Sequence, residues 1–577
     1  MIETAVHTGG LPAPESALRA VVVVPARDEQ ERIAACVAAL CDQQAVSWEQ
    51  YEVIVILDGC TDATAEVTRR IAGETPGLRL HQIELVVPQG VGRARHLGMD
   101  LACERLLSVG REDGLIASTD ADSVVAADWL CAQLELLDAG AEAIGGRIEL
   151  DVQEAETLVP ETLAAREHAV AARTRRAMRL SATSAVIEHH QFSGASLALT
   201  AAAYVRCGGL PVRAALEDEA LEHALVHQGV AIHRSDRVRV RTSARTSGRA
   251  PRGLAHDLAS ADWRARRSYG AGEFTLERLL EAKRASIAVV LPAREVAATI
   301  GPVTETAMRL KGAGLLDEAI VIDAGSADGT AAIAAQSGVR VEQESELLSE
   351  MGAALGKGDA MWRGLAASDS EIVLFADTDT DGFDERFLLG MLGPLLCDPE
   401  VQFVKGTFRR PFRSGGQVLA DGGGRVTELM ARPLLNLHAP ELAVFDQPLA
   451  GETAARRTLL ESLSFAAGYG VEIAMLIDVW AAIGLGGMAQ VDLGVRQNRH
   501  QPLRDLSAMA YAVLVAAQTR FLGRDFADAN AGGSIALPPL AGDHAMESCR
   551  VVLEERPPLS SIHGPTNPLM RNTVGLA

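Results

Sequence analysis

Lysine is almost missing from this chain: only Lys283, Lys311, Lys357 and Lys405 occur among its 54 basic residues, and arginine supplies the rest. A chain that uses arginine nearly everywhere keeps a lysine where a compact ammonium is wanted. Positive charge as a whole is scarce, with a formal net charge of −22 and a pI of about 5.1. That balance argues against non-specific binding to nucleic acid or anionic lipid, and an acidic, phosphate-bearing ligand would need a local cationic pocket. The eight cysteines fall in no C-x-x-C or C-x-x-C-H spacing, which speaks against a disulfide framework and a zinc site and makes a reducing compartment, the cytoplasm, the expectation. The opening "MIETAVHTGGLPAPESALRA" lacks the basic and apolar regions of a secretion signal. The longest apolar stretch near the C-terminus, "AMAYAVLVAA", is far short of the roughly 20 residues a membrane span needs. A soluble protein is expected, with a homodimer left open.

At 577 residues the chain is too long for one core, and two large domains fit it best. A direct repeat supports that division. "AVVVVPARDEQERIAACVAAL" from residue 20 matches "IAVVLPAREVAATI" from 287, "VIVILDGCTDAT" matches "AIVIDAGSADGT", and the order of landmarks is kept throughout. Such an offset is a duplication rather than a solenoid period. In each half, short β-branched runs ("AVVVVPA", "YEVIVILD", "GLIASTD"; "IAVVLPA", "EAIVID", "EIVLFAD") alternate with helical spacing, which predicts an α/β fold with a parallel sheet and crossover helices. The expected layout is an N-terminal tail at 1–18, a first domain at 19–273, a helical linker at 274–286 and a second domain at 287–545. A largely irregular tail, signalled by "LPPLAGDH" and "EERPPLSSIHGPTNPL", covers 546–577.

Ligands of such sheets lie beyond the carboxyl ends of the strands, where Asp58, Asp120, Asp323 and Asp377 are expected. "LFADTDTDGF" sets Asp377 and Asp379 one residue apart, and "LIASTDADSV" does the same with Asp120 and Asp122. Side chains at i and i+2 of an extended chain point the same way, so each pair calls for a cation. Mg²⁺ is usually held by one or two carboxylates plus substrate phosphates, which a nucleoside diphosphate would supply. A solvated turn explains one such pair; its recurrence at a strand end favours the metal.

"DGGGRVTEL" sets Gly424 and Arg425 just before a helical pattern, with Thr427 in its first turn. Free N–H groups at a helix start together with a guanidinium make an anion site. Glu472 stands among apolar residues of a predicted helix, just after Tyr469, and must be paired or hydrogen-bonded. Lys357 sits between glycines in "LGKGD", whereas Lys405 fits equally well as a strand-end surface charge. The arginine-rich run at 233–253 reads either as an anion contact or as a solvated strand and loop. His223 and His227 lack a third ligand and read as surface residues. "GVGRAR" lacks the third glycine of a dinucleotide fingerprint.

These blocks resemble nucleotide-sugar glycosyltransferases of the GT-A fold, so the expected fold class is two tandem GT-A (Rossmann-like nucleotide-diphospho-sugar transferase) domains. The resemblance implies that Pro25, Ala26 and Asp58 in one half hold the nucleoside, with Pro292, Ala293, Glu295 and Asp323 in the other. The paired aspartates would hold Mg²⁺ or Mn²⁺. The C-terminal half, through "VIDAGSADGT", "GKGDAMWRGLA", "ADTDTDGF", "GGGRVTELMARPLL" and "GYGVEIAMLIDVW", resembles glycosyltransferase family 81, the glucosyl-3-phosphoglycerate synthases. That implies transfer of glucose with retention from a nucleotide-activated donor, UDP-glucose ahead of a GDP sugar, to 3-phosphoglycerate. Lys357, Asp377 and Tyr469 would contact the donor, Glu472 its sugar, and Gly424, Arg425 and Thr427 the acceptor. The family's metal-binding His is expected two residues after Arg496, where this chain has Asn498, with His500 two further on; either could complete the shell. The N-terminal half resembles glycosyltransferase family 2, which implies inversion with Asp218, beside Glu217, as general base. The competing reading is that one half is a catalytically silent scaffold or binding module. A nucleotidylyltransferase is disfavoured, because neither "VPARDEQER" nor "LPAREV" carries the needed glycines.

Overall fold

The structure, a computed structural model, describes residues 6–7, 11–75, 77–180, 185–213, 215–248, 252–414, 417–419, 423–496, 502–525, 531–539 and 546–562. The chain divides into two compact units, one ending at Ala265 and the other beginning at Arg266.

The first unit is built on a nine-stranded sheet. Its centre runs Leu80–Leu85, Tyr51–Asp58, Ala20–Ala26, Leu115–Ser118, Leu197–Thr200, Ala143–Leu150, Ile232–Thr242. The first four strands are parallel, Leu197–Thr200 runs antiparallel to both its neighbours, and Ile232–Thr242 is parallel to Ala143–Leu150. Every residue of Ala20–Ala26 and Tyr51–Asp58 is buried, as expected of central strands covered on both faces. Alternation splits the first of these between two cores: Ala20, Val22, Val24 and Ala26 face one, Val21 and Val23 the other.

The second unit has an eight-stranded sheet. Seven of its strands, Arg340–Gln343, Glu318–Asp323, Ile287–Ala293, Ile372–Phe375, Thr453–Arg456, Phe403–Arg409 and Met488–Val495, repeat the order and relative directions just given. A glycine in the same place lets a helix lie close on each sheet. A Cβ on Gly98 would fall 2.3 Å from Val23 Cγ1, and one on Gly364 2.4 Å from Val290 Cγ1.

Three features differ from the sequence reading. Both sheets are mixed rather than parallel, because one short strand, Leu197–Thr200 or Thr453–Arg456, returns between two others. Ser268–Gly270, read as the end of the first domain, pairs with Met488–Val495 in the second unit's sheet. The described part of the expected irregular tail is integrated: Glu547–Arg550 pairs with Ser534–Leu537 and Glu555–Arg556 with Phe465–Ala466. Among the described residues, no helix is long and apolar enough to cross a membrane.

Candidate functional site

A cavity of about 770 Å³ opens in the second unit at the carboxyl end of Ile287–Ala293. Pro292 and Ala293 form part of its wall, Lys357, Asp377 and Asp379 another, Gly424, Arg425 and Thr427 a third, and Tyr469 with Glu472 close it. Sequence positions spread over 180 residues thus meet around one space.

At its centre Lys357, the first residue of the helix Lys357–Ala366, places Nζ 2.6 Å from Asp377 Oδ1 and 2.8 Å from Glu472 Oε1. Glu472 is the buried helical carboxylate expected from its apolar neighbours, and its partner is this lysine. Burial opposes ionisation of Asp377, but Lys357 and Arg496 outweigh it and hold its carboxyl below the usual range. Arg496 follows the strand Met488–Val495; its Nη2 stands 3.4 Å from Asp377 Oδ2 and 3.1 Å from Asp379 Oδ1, and its Nη1 bonds Glu452. Both aspartates thus turn an oxygen to the same guanidinium nitrogen, and both line the cavity. Carboxylate oxygens are the hard donors Mg²⁺ or Mn²⁺ takes, so the chemistry of the pair fits such an ion. Asn498 and His500, named for the third ligand, lie outside the described residues.

Gly424 (φ 70°) precedes the helical turn that begins at Arg425, and Thr427 is a buried residue of that turn. Glu295 and Asp323 do not line the cavity. Glu295 accepts a bond from Ala327 N at 2.8 Å. Asp323 ends its strand buried, accepting from Ser326 N and Gln343 Nε2, while its Oδ1 has no partner among the described residues.

Several contributors escaped the sequence reading. Arg496 was a landmark only. Gly451 lies so close to the site that a Cβ there would meet Asp377 and Lys357. Lys405 is buried rather than at the surface: it donates to Ala450 O at 2.8 Å, and burial pushes its ammonium down to about 8. Scarcity of lysine was the one available signal for it. Arg410 lines the cavity, and Arg410 and Arg496 both lie over the ring of Phe408, at 4.8 and 5.0 Å.

The first unit arranges its matching residues differently. Arg95, almost wholly buried, bonds Asp120 at 2.8 Å, Glu217 at 3.1 Å, Ser118 and the Gly194 carbonyl. Arg245 bonds Asp122 at 2.8 Å and Glu29 at 2.7 Å. Burial and the neighbouring Asp120 push the Asp122 carboxyl up to about 6. Asp218, in the first turn of Glu217–His227, accepts from Gly194 N and Glu219 N. That turn follows Leu216 at φ 60°, the left-handed strain that functional turns often carry. Both oxygens of Asp58 are taken by backbone, Gln89 N at 2.6 Å and Gly90 N at 2.9 Å. Pro25 and Ala26 end their strand buried. Val91 begins the helix Val91–Ser108 where Lys357 begins its counterpart. His223 and His227 are exposed, as expected. The arginine-rich run supplies the strand Ile232–Thr242 and, in Arg245, one site residue.

A sequence model of the family described as glycosyl transferase family 2 matches residues 21–195 and again 288–419. The glucosyl-3-phosphoglycerate synthase of Mycolicibacterium paratuberculosis is 42% identical over 316 residues, 54% of this chain and 95% of that protein. The Mycobacterium tuberculosis protein of the same name is 44% identical over 287 residues, 48% of this chain and 87% of its own. Among solved structures, mannosyl-3-phosphoglycerate synthase from Rubrobacter xylanophilus shares 44% identity, with 52% of this chain and 98% of that one covered and a TM-score of 0.48. The Mycobacterium tuberculosis synthase in complex with Mn²⁺, UDP and glucosyl-3-phosphoglycerate shares 41%, covering 50% and 96%, with a TM-score of 0.45. Since the two matches to one family model together span more than half of the 577 residues, the chain belongs to glycosyl transferase family 2 and is a glycosyltransferase.

Proposed function

We propose that the second unit transfers glucose from UDP-glucose to 3-phosphoglycerate with retention, and that the two units are tandem GT-A domains, the first an inverting transferase of another sugar and acceptor. One observation carries this reading: Lys357, the Asp377–Asp379 pair and the Gly424–Arg425 turn face one cavity. The relatives' activity, over nearly their whole length at 42–44% identity, supports the donor sugar and acceptor.

In this reading Asp377 and Asp379 hold Mg²⁺ or Mn²⁺, which would neutralise the donor's diphosphate. Lys357, already charged between two carboxylates, steadies the leaving diphosphate, and Glu472 orients the sugar hydroxyls. Pro292, Ala293 and Tyr469 bound the rest of the donor, while Glu295 and Asp323, outside the cavity wall, support it through the 326–327 turn. Arg425 and the N–H groups of its turn receive the acceptor's anionic groups, with Thr427 beside them. Glu472 is engaged with Lys357 and has no nucleophile's role here. The acceptor hydroxyl attacks on the face the diphosphate leaves, and the diphosphate takes its proton. In the first unit Pro25, Ala26 and Asp58 hold the nucleoside, Asp120 and Asp122 the metal, and Asp218 acts as base.

A second reading, that the first unit is a silent scaffold, draws on Val91 in place of the lysine and on the backbone bonds that occupy Asp58. The test supplies purified protein with Mg²⁺ or Mn²⁺, a panel of UDP and GDP sugars and 3-phosphoglycerate, and identifies all products by mass. Asp379→Ala should abolish glucosyl-3-phosphoglycerate formation, and Asp218→Asn should leave it intact. Full activity in the Asp379 variant would overturn the metal assignment; loss in the folded Asp218 variant would show that the units do not work independently.

A further inference from the structure

The segment 546–559 lies past the sequence blocks that suggested a transferase, yet it forms part of the cavity wall through Arg550, Val551 and Val552. Its continuation is fixed in the fold at several points. Glu555–Arg556 pairs antiparallel with Phe465–Ala466, Ala467 N donates to Glu554 O at 2.8 Å, and Trp362 Nε1 donates to Pro557 O at 2.9 Å.

Arg556 is the centre of this attachment. Its Nε and Nη2 donate to Oδ1 and Oδ2 of Asp359 at 2.7 and 2.8 Å, a two-pronged pair with a carboxylate that is wholly buried. The same guanidinium donates to the carbonyls of Met351 at 2.5 Å and Ala353 at 2.7 Å. Asp359 also accepts from Leu355 N at 2.9 Å and from Arg363 Nε at 3.1 Å, and Arg363 reaches Gly352 O at 2.8 Å. Residues 351–355 have no strand partner among the described residues; two guanidiniums and one carboxylate bond their backbone. Leu355 and Gly356 line the cavity, and the next residue is Lys357.

We infer that Arg556, from the C-terminal segment, is a positioning residue for the donor: by fixing the 351–356 loop it sets where Lys357 meets the nucleotide diphosphate. This rests on the reading of Lys357 as a donor contact. The planar fork is what the role requires, since it serves both oxygens of Asp359 and two carbonyls at once, and an ammonium on a flexible stem does not reproduce that arrangement.

The experiment compares wild type, Arg556→Lys and Arg556→Met by calorimetric titration of UDP with Mn²⁺, by KM for UDP-glucose and for 3-phosphoglycerate, and by thermal unfolding. Arg556→Met should weaken UDP binding and raise the donor KM about tenfold, with the acceptor KM within about twofold of wild type. Arg556→Lys should fold and still show a donor KM raised at least about fivefold; if the Met variant does not fold, this variant carries the test. Donor binding unchanged in a folded variant, full rescue by lysine, or equal losses for donor and acceptor would each overturn the inference. Wild type that fails to bind UDP at all would instead overturn the donor reading of the cavity.

Discussion

Replacing Gly451 by alanine tests the site's geometry most directly, because the added methyl group has nowhere to go. An ideal Cβ at this position falls 2.3 Å from Asp377 Oδ1, 2.5 Å from Asp377 Oδ2 and 2.4 Å from Lys357 Nζ, whereas ordinary contact begins at 3.4 Å. The Asp377 carboxylate and the Lys357 ammonium must therefore retreat by roughly 1 Å, and displacements of that size in a reacting site cost about 100-fold in rate. The blocking atoms are side-chain ends rather than backbone, so the fold should survive at the low end of overpacking costs, about 1–2 kcal/mol. The assay is steady-state formation of glucosyl-3-phosphoglycerate, paired with thermal unfolding of the same preparation. Gly486→Ala, where a Cβ meets nothing within 4 Å, is the control and should leave kcat/KM unchanged. A folded Gly451→Ala variant with kcat/KM within about threefold of wild type would refute the reasoning, since it would show that Asp377 and Lys357 tolerate displacement.

Three further outcomes are expected. Lys357→Met leaves Asp377 and Glu472 facing each other without their shared cation; the cost of breaking a buried pair, reduced by the partial exposure of the lysine, should be about 2–4 kcal/mol by denaturant unfolding, with turnover lost. Arg425→Ala should weaken 3-phosphoglycerate binding by about 1.5–3 kcal/mol while barely changing UDP binding, measured by separate titrations; equal losses would move Arg425 away from the acceptor. Glu344, buried in the cavity wall near Asp359, has its carboxyl pushed up to about 7 by burial first and by Asp359 second. Its folded-state value lies above its ordinary 4.5, so wild type loses stability as pH rises from the ordinary value to the raised one, and no more beyond it. Glu344→Gln removes that dependence: its melting temperature relative to wild type should climb between pH 5 and pH 7 and then level off, and a flat difference would exclude the effect.

The repeat was legible because its signals are local. Apolar runs ending in Asp58 and Asp323 flank Ala20–Ala26 and Ile287–Ala293 on one side, and the paired aspartates lie just past the strands that flank them on the other, Leu115–Ser118 and Ile372–Phe375. Lys357 stood out by residue choice, and Gly424 with Arg425 by their place before a helix. Lys405 fits a strand-end surface equally well by sequence, because local spacing does not reveal that it lies within Phe403–Arg409, paired with Thr453 on one side and Gln490 on the other and donating to Ala450 O. The segment after residue 546 was misjudged because proline-rich spacing shows how a chain bends and not what it packs against.

The sequence by itself determined the α/β pattern in each half, the acidic pairs and the turn that follows Gly424, since each depends on residues within a few positions of one another, and the recurrence of those local patterns showed the duplication. Tertiary structure alone decided which cations answer those carboxylates. Arg496 reaches Asp379 across 117 residues, Arg95 reaches Glu217 across 122, and Arg556 reaches Asp359 across 197. A guanidinium pairs with whichever carboxylate the fold brings within about 3 Å, and burial then gives that pairing its weight; neither distance nor burial is written in the spacing of the chain.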